Sequence, residues 1–512
     1  MNRATVAAVG SIGAILVTGC TGQIDSATNV TQVAATLNAS FTCTQGEAGE
    51  YWLAHRRVGV TAAWRETGRR TFNCTRAASD QRAYQLTGLN SAAVYEARLC
   101  ADPAGSPPAN CTDADGTVHG AVEDSRTNRD VTYFRFTTLG APVPGGLPVR
   151  QRVCMNTHMN YSGSGYADVA AVRAKLDYLG VDCVRDVLPP DGNLVNQPSR
   201  FNQLGRQVIA ICGGYFTSWW WENSEARCVS EARSRINRLV AVEGMNEPYC
   251  QDRTAFTANQ TRLRNHMVRL RDGAAGTGIA VYSVSMCHPE WYTAAAVPGI
   301  VNNMHSYSPP GQFPRMGPAS SGDSVESWMS RSRFSDSGQF ASTEMGTYDP
   351  VTALGGNQTL MARYQLIHTL NHLYKGIQRF AFYELQDEYP GGEDFGFWGA
   401  NGSRRLAADA MRNFLTVLGE ARTGPAVGFT YTVSDPANRL LHLPARAADG
   451  NHYIALWNQQ STAARNVTLH LSAPRPITVV RPINSPTGEN RAASTSHAIP
   501  LGDDPLIAII RP

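Results

Sequence analysis

The sequence predicts a multidomain chain in which a central (β/α)8 TIM barrel stands between an N-terminal and a C-terminal β-sandwich. Three observations carry that prediction. The chain's 512 residues exceed one ordinary core and suit several domains. Both ends consist of strand-like runs separated by turn-rich stretches, whereas the middle alternates strand-like runs with helix-like apolar spacing, the pattern of a parallel α/β fold. The middle holds eight such runs in about 270 residues, which matches a TIM barrel in number and size.

Residues 1–20 read as a targeting segment: Arg3 is followed by an apolar stretch, Ala4–Val17, too short to span a membrane comfortably. It closes on Val17-Thr18-Gly19-Cys20, which resembles the lipobox of bacterial lipoproteins and implies a lipidated Cys20 as the first mature residue. The small polar residues 21–30 read as a tether. Residues 31–140 carry β grammar, with Tyr51–Leu53, Val58–Trp64 and Val131–Phe136 as examples. Tyr84-Gln85-Leu86-Thr87-Gly88-Leu89-Asn90 followed by Val94–Leu99 resembles the tyrosine corner of fibronectin type III modules. Residues 141–149 are a linker stiffened by Pro142, Pro144 and Pro148 and broken by Gly145 and Gly146.

The barrel is expected over 150–422. Its strands are read near Arg152–Met155, Val181–Arg185, Gln207–Ile211, Leu239–Val242, Ile279–Ser283, Ile300–Met304, Gln339–Ser342 and Arg379–Phe382. Tyr166–Leu179 and Thr254–Arg271 are two of the intervening helical stretches. Residues 423–512 return to β runs, among them Leu440–Leu443, Tyr453–Trp457, Val467–Leu471 and Leu506–Ile510, with Asp449-Gly450 as a hairpin turn.

Composition narrows the function classes. Net charge is +3 with no basic run or aromatic-interleaved basic patch, so nothing points to nucleic acid. Setting aside Cys20 leaves ten cysteines with no zinc-type spacing, so disulfides and export are the expectation. Locality suggests Cys43–Cys74, Cys100–Cys111, Cys212–Cys228 and Cys250–Cys287, although sequence does not determine connectivity.

Polar residues at the C-terminal ends of barrel strands are candidate catalytic groups by position. Strand four runs into Asn246-Glu247-Pro248 and strand seven ends in Glu344. Strand two ends in Arg185 and strand six in His305-Ser306-Tyr307. On these residues the chain resembles clan A of the glycoside hydrolases over about 150–420, with family 39 and family 5 enzymes as the nearest look-alikes. The resemblance implies Glu247 as acid/base, Glu344 as nucleophile, Arg185 as its support, and His305 and Tyr307 as sugar and nucleophile contacts. Asn246 is placed to bind the sugar 2-hydroxyl. The chemistry needs one ionised and one proton-bearing carboxyl group and no metal or other cofactor.

Further substrate-binding candidates are aromatic. Trp219-Trp220-Trp221 follows strand three, and Trp220 is taken to represent the loop as a sugar platform. Strand eight departs from the clan, which often has a tryptophan there; this chain reads Phe382-Tyr383-Glu384-Leu385-Gln386-Asp387-Glu388, so Tyr383 or Trp398 is assigned the floor. Glu384, Asp387 and Glu388 suit sugar hydroxyls or a structural calcium. His158, His288, Glu290 and Trp291 are weaker candidates, and Glu243 is read as structural. The expected partner is a carbohydrate, met outside the cell by a monomer whose membrane contact is an N-terminal lipid anchor. A non-catalytic glycan-binding lipoprotein and a transglycosylase with the same glutamates are the alternatives.

Overall fold

The computed structural model describes residues 15–17, 20–28, 34–43, 48–57, 65–67, 70–73, 78–87, 94–103 and 134–137, and from 146 to 511 all but 162–163, 191–195, 310–311, 317–323, 333, 348–356, 390–393, 424–430, 435–439 and 459–464. Its centre is a ring of eight parallel strands: β1 (Val153–Asn156), β2 (Cys183–Val187), β3 (Gln207–Ile211), β4 (Leu239–Glu243), β5 (Ala280–Tyr282), β6 (Asn302–Tyr307), β7 (Phe340–Gly346) and β8 (Phe380–Phe382). Continuous pairing runs from β5 back through β1 to β8, β7 and β6. The ring closes between β5 and β6 through a bridge at Tyr282 and Val301. Ser283 N donates to Val301 O at 2.9 Å, and Ser283 Oγ accepts from Asn303 N at 2.9 Å where the backbone ladder gives out.

Strand alternation sorts the barrel residues into two populations. Val153, Met155, Val184, Val208, Val242, Phe380 and Phe382 join the core shared with the surrounding helices. Cys154, Cys183, Ile209, Ala241, Tyr282, Val301, Ala341 and Ala381 form a separate apolar layer inside the ring. That layer is the floor on which the site stands.

Among the described residues a four-residue helix, Val149–Arg152, leads into β1, and seven helices follow the strands: α1 (Val169–Leu179), α2 (Asn196–Leu204), α3 (Glu225–Arg235), α4 (Arg253–Ala274), α5 (Val325–Arg331), α6 (Gln358–Tyr374) and α7 (Leu406–Leu418). Local sequence sets their ends. Asp168 accepts from the backbone of Ala170 and Ala171 to start α1, which stops at Gly180 in the left-handed conformation (φ 75°). Asp252 and Asn357 cap α4 and α6 in the same way. The fifth β/α unit corrects the expectation of eight α-helices, because only a 3-10 turn, Pro289–Trp291, follows β5. Pro289 and Pro298 bracket this stretch and supply no N–H for a helical ladder.

Three disulfides are described. Cys212–Cys228 and Cys250–Cys287 pair as locality suggested, and Cys154–Cys183 ties β1 to β2 inside the ring. Cys74 and Cys111 lie outside the described residues, as do the side chains of Cys43 and Cys100, and with them the other two pairings.

The C-terminal residues, expected as a β-sandwich, make a seven-stranded antiparallel sheet among the described residues. The long strand Arg465–Val480 pairs with Tyr431–Ser434, Gly488–Leu501 and Leu506–Ile510 and so joins both halves of the sheet. One face encloses Ile454, Leu456, Val467, Leu469 and Ile499. The other, with Leu441, Tyr453 and Trp457, belongs to the core of the barrel. Trp457 Nε1 donates to Asn371 Oδ1 of α6 at 2.8 Å.

The N-terminal region contains a four-stranded and a five-stranded antiparallel sheet. The stretch read as a tether, 21–30, contributes most of a strand, Cys20–Thr28, paired with Ala34–Cys43. Its polar residues are Thr, Gln and Ser around Ile24, with one charge, Asp25, and nothing in that composition opposes pairing. Residues 1–14 of the targeting segment and the side chain of Cys20 lie outside the described residues.

Candidate active site

Arg185 points into the ring from β2, and all five of its N–H donors find acceptors. Nε and Nη2 donate to the two oxygens of Glu243 at 2.7 and 2.6 Å, a bidentate pair with a fully buried carboxylate. The other Nη2 proton goes to Asn246 Oδ1 at 2.6 Å. Nη1 donates to Asn156 Oδ1 at 2.8 Å and to Glu344 Oε1 at 2.6 Å. Burial opposes the guanidinium's charge, but Glu243 and Glu344 outweigh burial and hold the group protonated. Glu243 also accepts from Asn303 Nδ2 and Thr343 Oγ1, each at 3.0 Å. It is thus the counter-ion beneath the site, as its structural reading required.

Glu344 reaches the interior through an irregularity in pairing. The register shifts between Ser342 and Met345 against β8, and between Met304 and His305 against β7. Such a shift re-aims side chains, here bringing both Thr343 and Glu344 inward. Tyr307 OH donates to Glu344 Oε2 at 2.7 Å, so each carboxylate oxygen has a donor. Burial pushes the Glu344 pKa up, but His305, Arg185 and the Tyr307 hydrogen bond prevail and hold it below the ordinary carboxylate value. The same charge, after burial, raises the Tyr307 phenol well above its usual range.

Glu247 stands in the loop after β4. Asn246 N donates to Gly214 O at 2.8 Å and Glu247 N to Ser285 O at 2.9 Å, which pins the loop between those after β3 and β5. Close approach requires glycine at 213, where a Cβ would stand 2.3 Å from the Met245 backbone. Glu247 itself has φ 47°, in the left-handed region. Its Oε1 lies 2.8 Å from His305 Nδ1. One carboxylate oxygen each from Glu247 and Glu344 and a His305 ring nitrogen lie within 4.8 Å of one another. The Glu344 side chain is 9% exposed and that of Glu247 20%, so the more accessible carboxyl group is the one at the mouth.

The structure therefore brings Arg185, Asn246, Glu247, His305, Tyr307 and Glu344 together. Tyr383 joins them: its ring lies edge-on to Tyr307 at 6.4 Å and to His158 at 5.6 Å. Trp398 does not join, being 6% exposed and packed edge-on to Tyr178 of α1 outside the ring. The three tryptophans after β3 divide. Trp221 is core, with Nε1 donating to Leu188 O; Trp219 lies under the Arg262 guanidinium; Trp220 packs on Tyr215, whose backbone bridges to Asn246. His288 stacks on Trp291 and contacts Glu290, which pairs with Arg331 at the rim after β5. Asp387 is tied to Arg405 and Gly396 N. Asn156, Tyr215, Asn303 and Thr343 are site neighbours that sequence reasoning missed. Asn156, at the C-terminal end of β1, was the one with a positional signal.

Glu384 is 3% exposed, and burial followed by repulsion from Asp387 raises its pKa to about 8. A folded-state value above the unfolded one gives stability that is present below the unfolded value and lost as pH rises toward about 8. Glu384→Gln is therefore expected to match wild type near pH 4, to gain on it progressively as pH rises from about 4.5, and to exceed it by on the order of 4–5 kcal/mol above pH 8. Thermal unfolding of both proteins across that range checks it; parallel curves would rule it out.

Two trios are close enough to share a cation, Glu247–His305–Glu344 and His158–Glu384–Glu388. In the first, Arg185 and Tyr307 already donate to both oxygens of Glu344, and the guanidinium repels a second cation. The third close trio includes Cys250 and Cys287, which are joined in a disulfide.

No known protein family matches the chain, and no curated protein sequence matches it. Similar solved structures include a β-glucuronidase from Parabacteroides merdae, 10% identical over 96% of this chain and 74% of that one, with a TM-score of 0.37. A GH39 enzyme from Xanthomonas axonopodis pv. citri is 14% identical over 72% of this chain and 95% of that one, with a TM-score of 0.47. A monomeric β-xylosidase from Caulobacter crescentus CB15 has the same identity and TM-score over 72% and 97%. At likenesses this distant, what the chain does must be read from the geometry of its own site.

Proposed function

We propose that the chain is a retaining glycoside hydrolase that cleaves a β-linked poly- or oligosaccharide by double displacement. The observation that supports it is the unequal carboxyl pair: oxygens within 4.8 Å, one carboxylate buried between Arg185 and Tyr307, the other at the mouth beside His305. Retaining enzymes hold their two carboxyl groups about 5–5.5 Å apart, and inverting ones leave about 6.5–9.5 Å for a water. In this reading Glu344 attacks the anomeric carbon while Glu247 protonates the departing oxygen. Glu247 then takes a proton from the water that releases the sugar from Glu344. Asn246, held by Arg185 and Ser285, meets the 2-hydroxyl, and Tyr383 forms the floor.

We also infer an exported protein anchored through Cys20, with an N-terminal fibronectin III-like accessory module. The buried disulfides support export. For the module, the support is one sheet that pairs Cys20–Thr28, Ala34–Cys43 and Ala78–Thr87 and another centred on Ala48–Arg57 and Val94–Pro103.

The test is a glycan screen of wild type followed by leaving-group kinetics of Glu247→Ala. General acid catalysis contributes about 10²–10⁴-fold, so natural glycosides should slow by that factor, whereas aryl glycosides whose leaving group needs no proton should form the glycosyl-enzyme almost normally. Equal loss on both substrates would remove Glu247 from the role.

A further inference from the structure

Beside the glutamate pair, four further acids stand at the ends of β2 and β8, and their surroundings differ. Asp186 is saturated: Thr157 Oγ1 and Met159 N each donate to it at 2.8 Å and Val187 N at 2.7 Å. Asp387 has Arg405. Glu384 and Glu388 have no arginine or lysine partner among the described residues, only His158 Nε2 at 3.3 and 3.1 Å. That nitrogen is buried and makes no well-formed hydrogen bond to either.

The Glu384 carboxylate is nine-tenths buried and short of donors. Tyr166 OH is 3.3 Å away, but its single proton faces Gln386 O at the better distance of 2.9 Å. Arg185 has nothing to offer, since its five donors are taken. Burial holds both carboxyl groups above the ordinary range, with repulsion from Asp387 and Glu344 adding to it at Glu384 and repulsion from Glu384 adding to it at Glu388. Tyr383 links this pocket to the nucleophile, lying between His158 and Tyr307, and Tyr161 stacks on His158 to wall the other side.

We propose that the sugar bound on the β1/β8 side of Glu344 carries a free, positively charged amino group, recognised by Glu388 and Glu384 with His158 between them. The substrate is thus a glycan containing de-N-acetylated hexosamine. This rests on the glycosidase reading and adds the charge of the sugar to it. A bound ammonium lets Glu384 give up its proton and pairs with both carboxylates, whereas neutral hydroxyls and an N-acetyl group bring no positive charge and a uronate would meet the like charge of Glu388.

The experiment measures binding of β-linked glucosamine and galactosamine oligosaccharides and their fully N-acetylated counterparts to Glu344→Gln, which cannot turn them over. At least a tenfold preference for an amino form is expected, weakening with added salt and lost in Glu344→Gln/Glu388→Gln. Equal or tighter binding of the acetylated forms, no binding of either, or tight Zn²⁺ binding abolished by Glu388→Gln without any amino-sugar preference would overturn the proposal. Wild-type hydrolysis of neutral glycans that Glu344→Gln abolishes, with no amino-sugar preference, would overturn it while leaving the glycosidase reading intact. Absence of hydrolysis on every glycan, amino forms included, would count against that reading instead.

Discussion

Glu344→Gln is expected to lower kcat/KM on any glycoside the protein cleaves by about 10⁴-fold or more, a loss of at least about 5 kcal/mol of transition-state stabilisation. The fold should be unaffected. Glutamine has the shape of glutamate, and its carbonyl oxygen can still accept from Arg185 or Tyr307, the two donors that hold the carboxylate. What is lost is the nucleophile: a neutral amide does not attack an anomeric centre effectively. Chemical rescue makes the result specific. In Glu344→Gly a small anion such as azide can occupy the vacated space and attack from the same face, giving a glycosyl azide of inverted configuration. Steady-state kinetics and product anomer analysis are the measurements. Full activity in Glu344→Gln would remove this residue from the reaction.

The second large effect concerns stability. Arg185→Met should cost about 3–5 kcal/mol, the range for removing one member of a buried ion pair. Two carboxylates depend on this guanidinium, and Glu243 is wholly inside the ring with no route to water. The oxygens of Asn156 and Asn246 would lose a donor as well. Denaturant unfolding of Arg185→Met alone and combined with Glu243→Gln separates charge from shape. The double variant should regain part of the lost stability because Glu243 no longer buries an unpaired charge, but it should remain inactive because Glu344 has lost the guanidinium that holds it ionised. A single variant as stable as wild type would contradict the account. Arg185→Lys should fall between, since an ammonium has three donors where five are used.

Much of this arrangement was legible before any coordinates. Apolar runs of β-branched residues gave the eight strands, and the rule that function sits at strand ends singled out Glu247, Glu344, Arg185 and Tyr307. What sequence could not reveal depends on register and loop shape. The shifted pairing at His305 and Glu344 breaks simple alternation, so Asn303 and Thr343 could not be assigned to the interior by counting. Trp398 and Tyr383 were equal candidates for one floor; only the hairpin-like path that sets Trp398 against Arg404 and Tyr178 separates them. The tryptophan loop has no period, so the different fates of Trp219, Trp220 and Trp221 had no signal. In the C-terminal region, turn residues between runs mark hairpins and say nothing of a 16-residue strand serving both halves.

The three described disulfides also divide the barrel unequally. Cys154–Cys183 joins β1 to β2, Cys212–Cys228 ties the end of β3 to α3, and Cys250–Cys287 links the loops after β4 and β5. No described disulfide touches β6, β7 or β8. A cross-link acts mainly by limiting the freedom of the unfolded chain, so the half that carries Glu247 loses conformational entropy before folding begins. The half that carries Glu344 has no such restraint and depends on packing. Native-state openings should therefore start on the β6–β8 side, and the seam at Tyr282 and Val301, where a single backbone bridge and a few bonds to Ser283 stand in for a full ladder, is where the two halves part first.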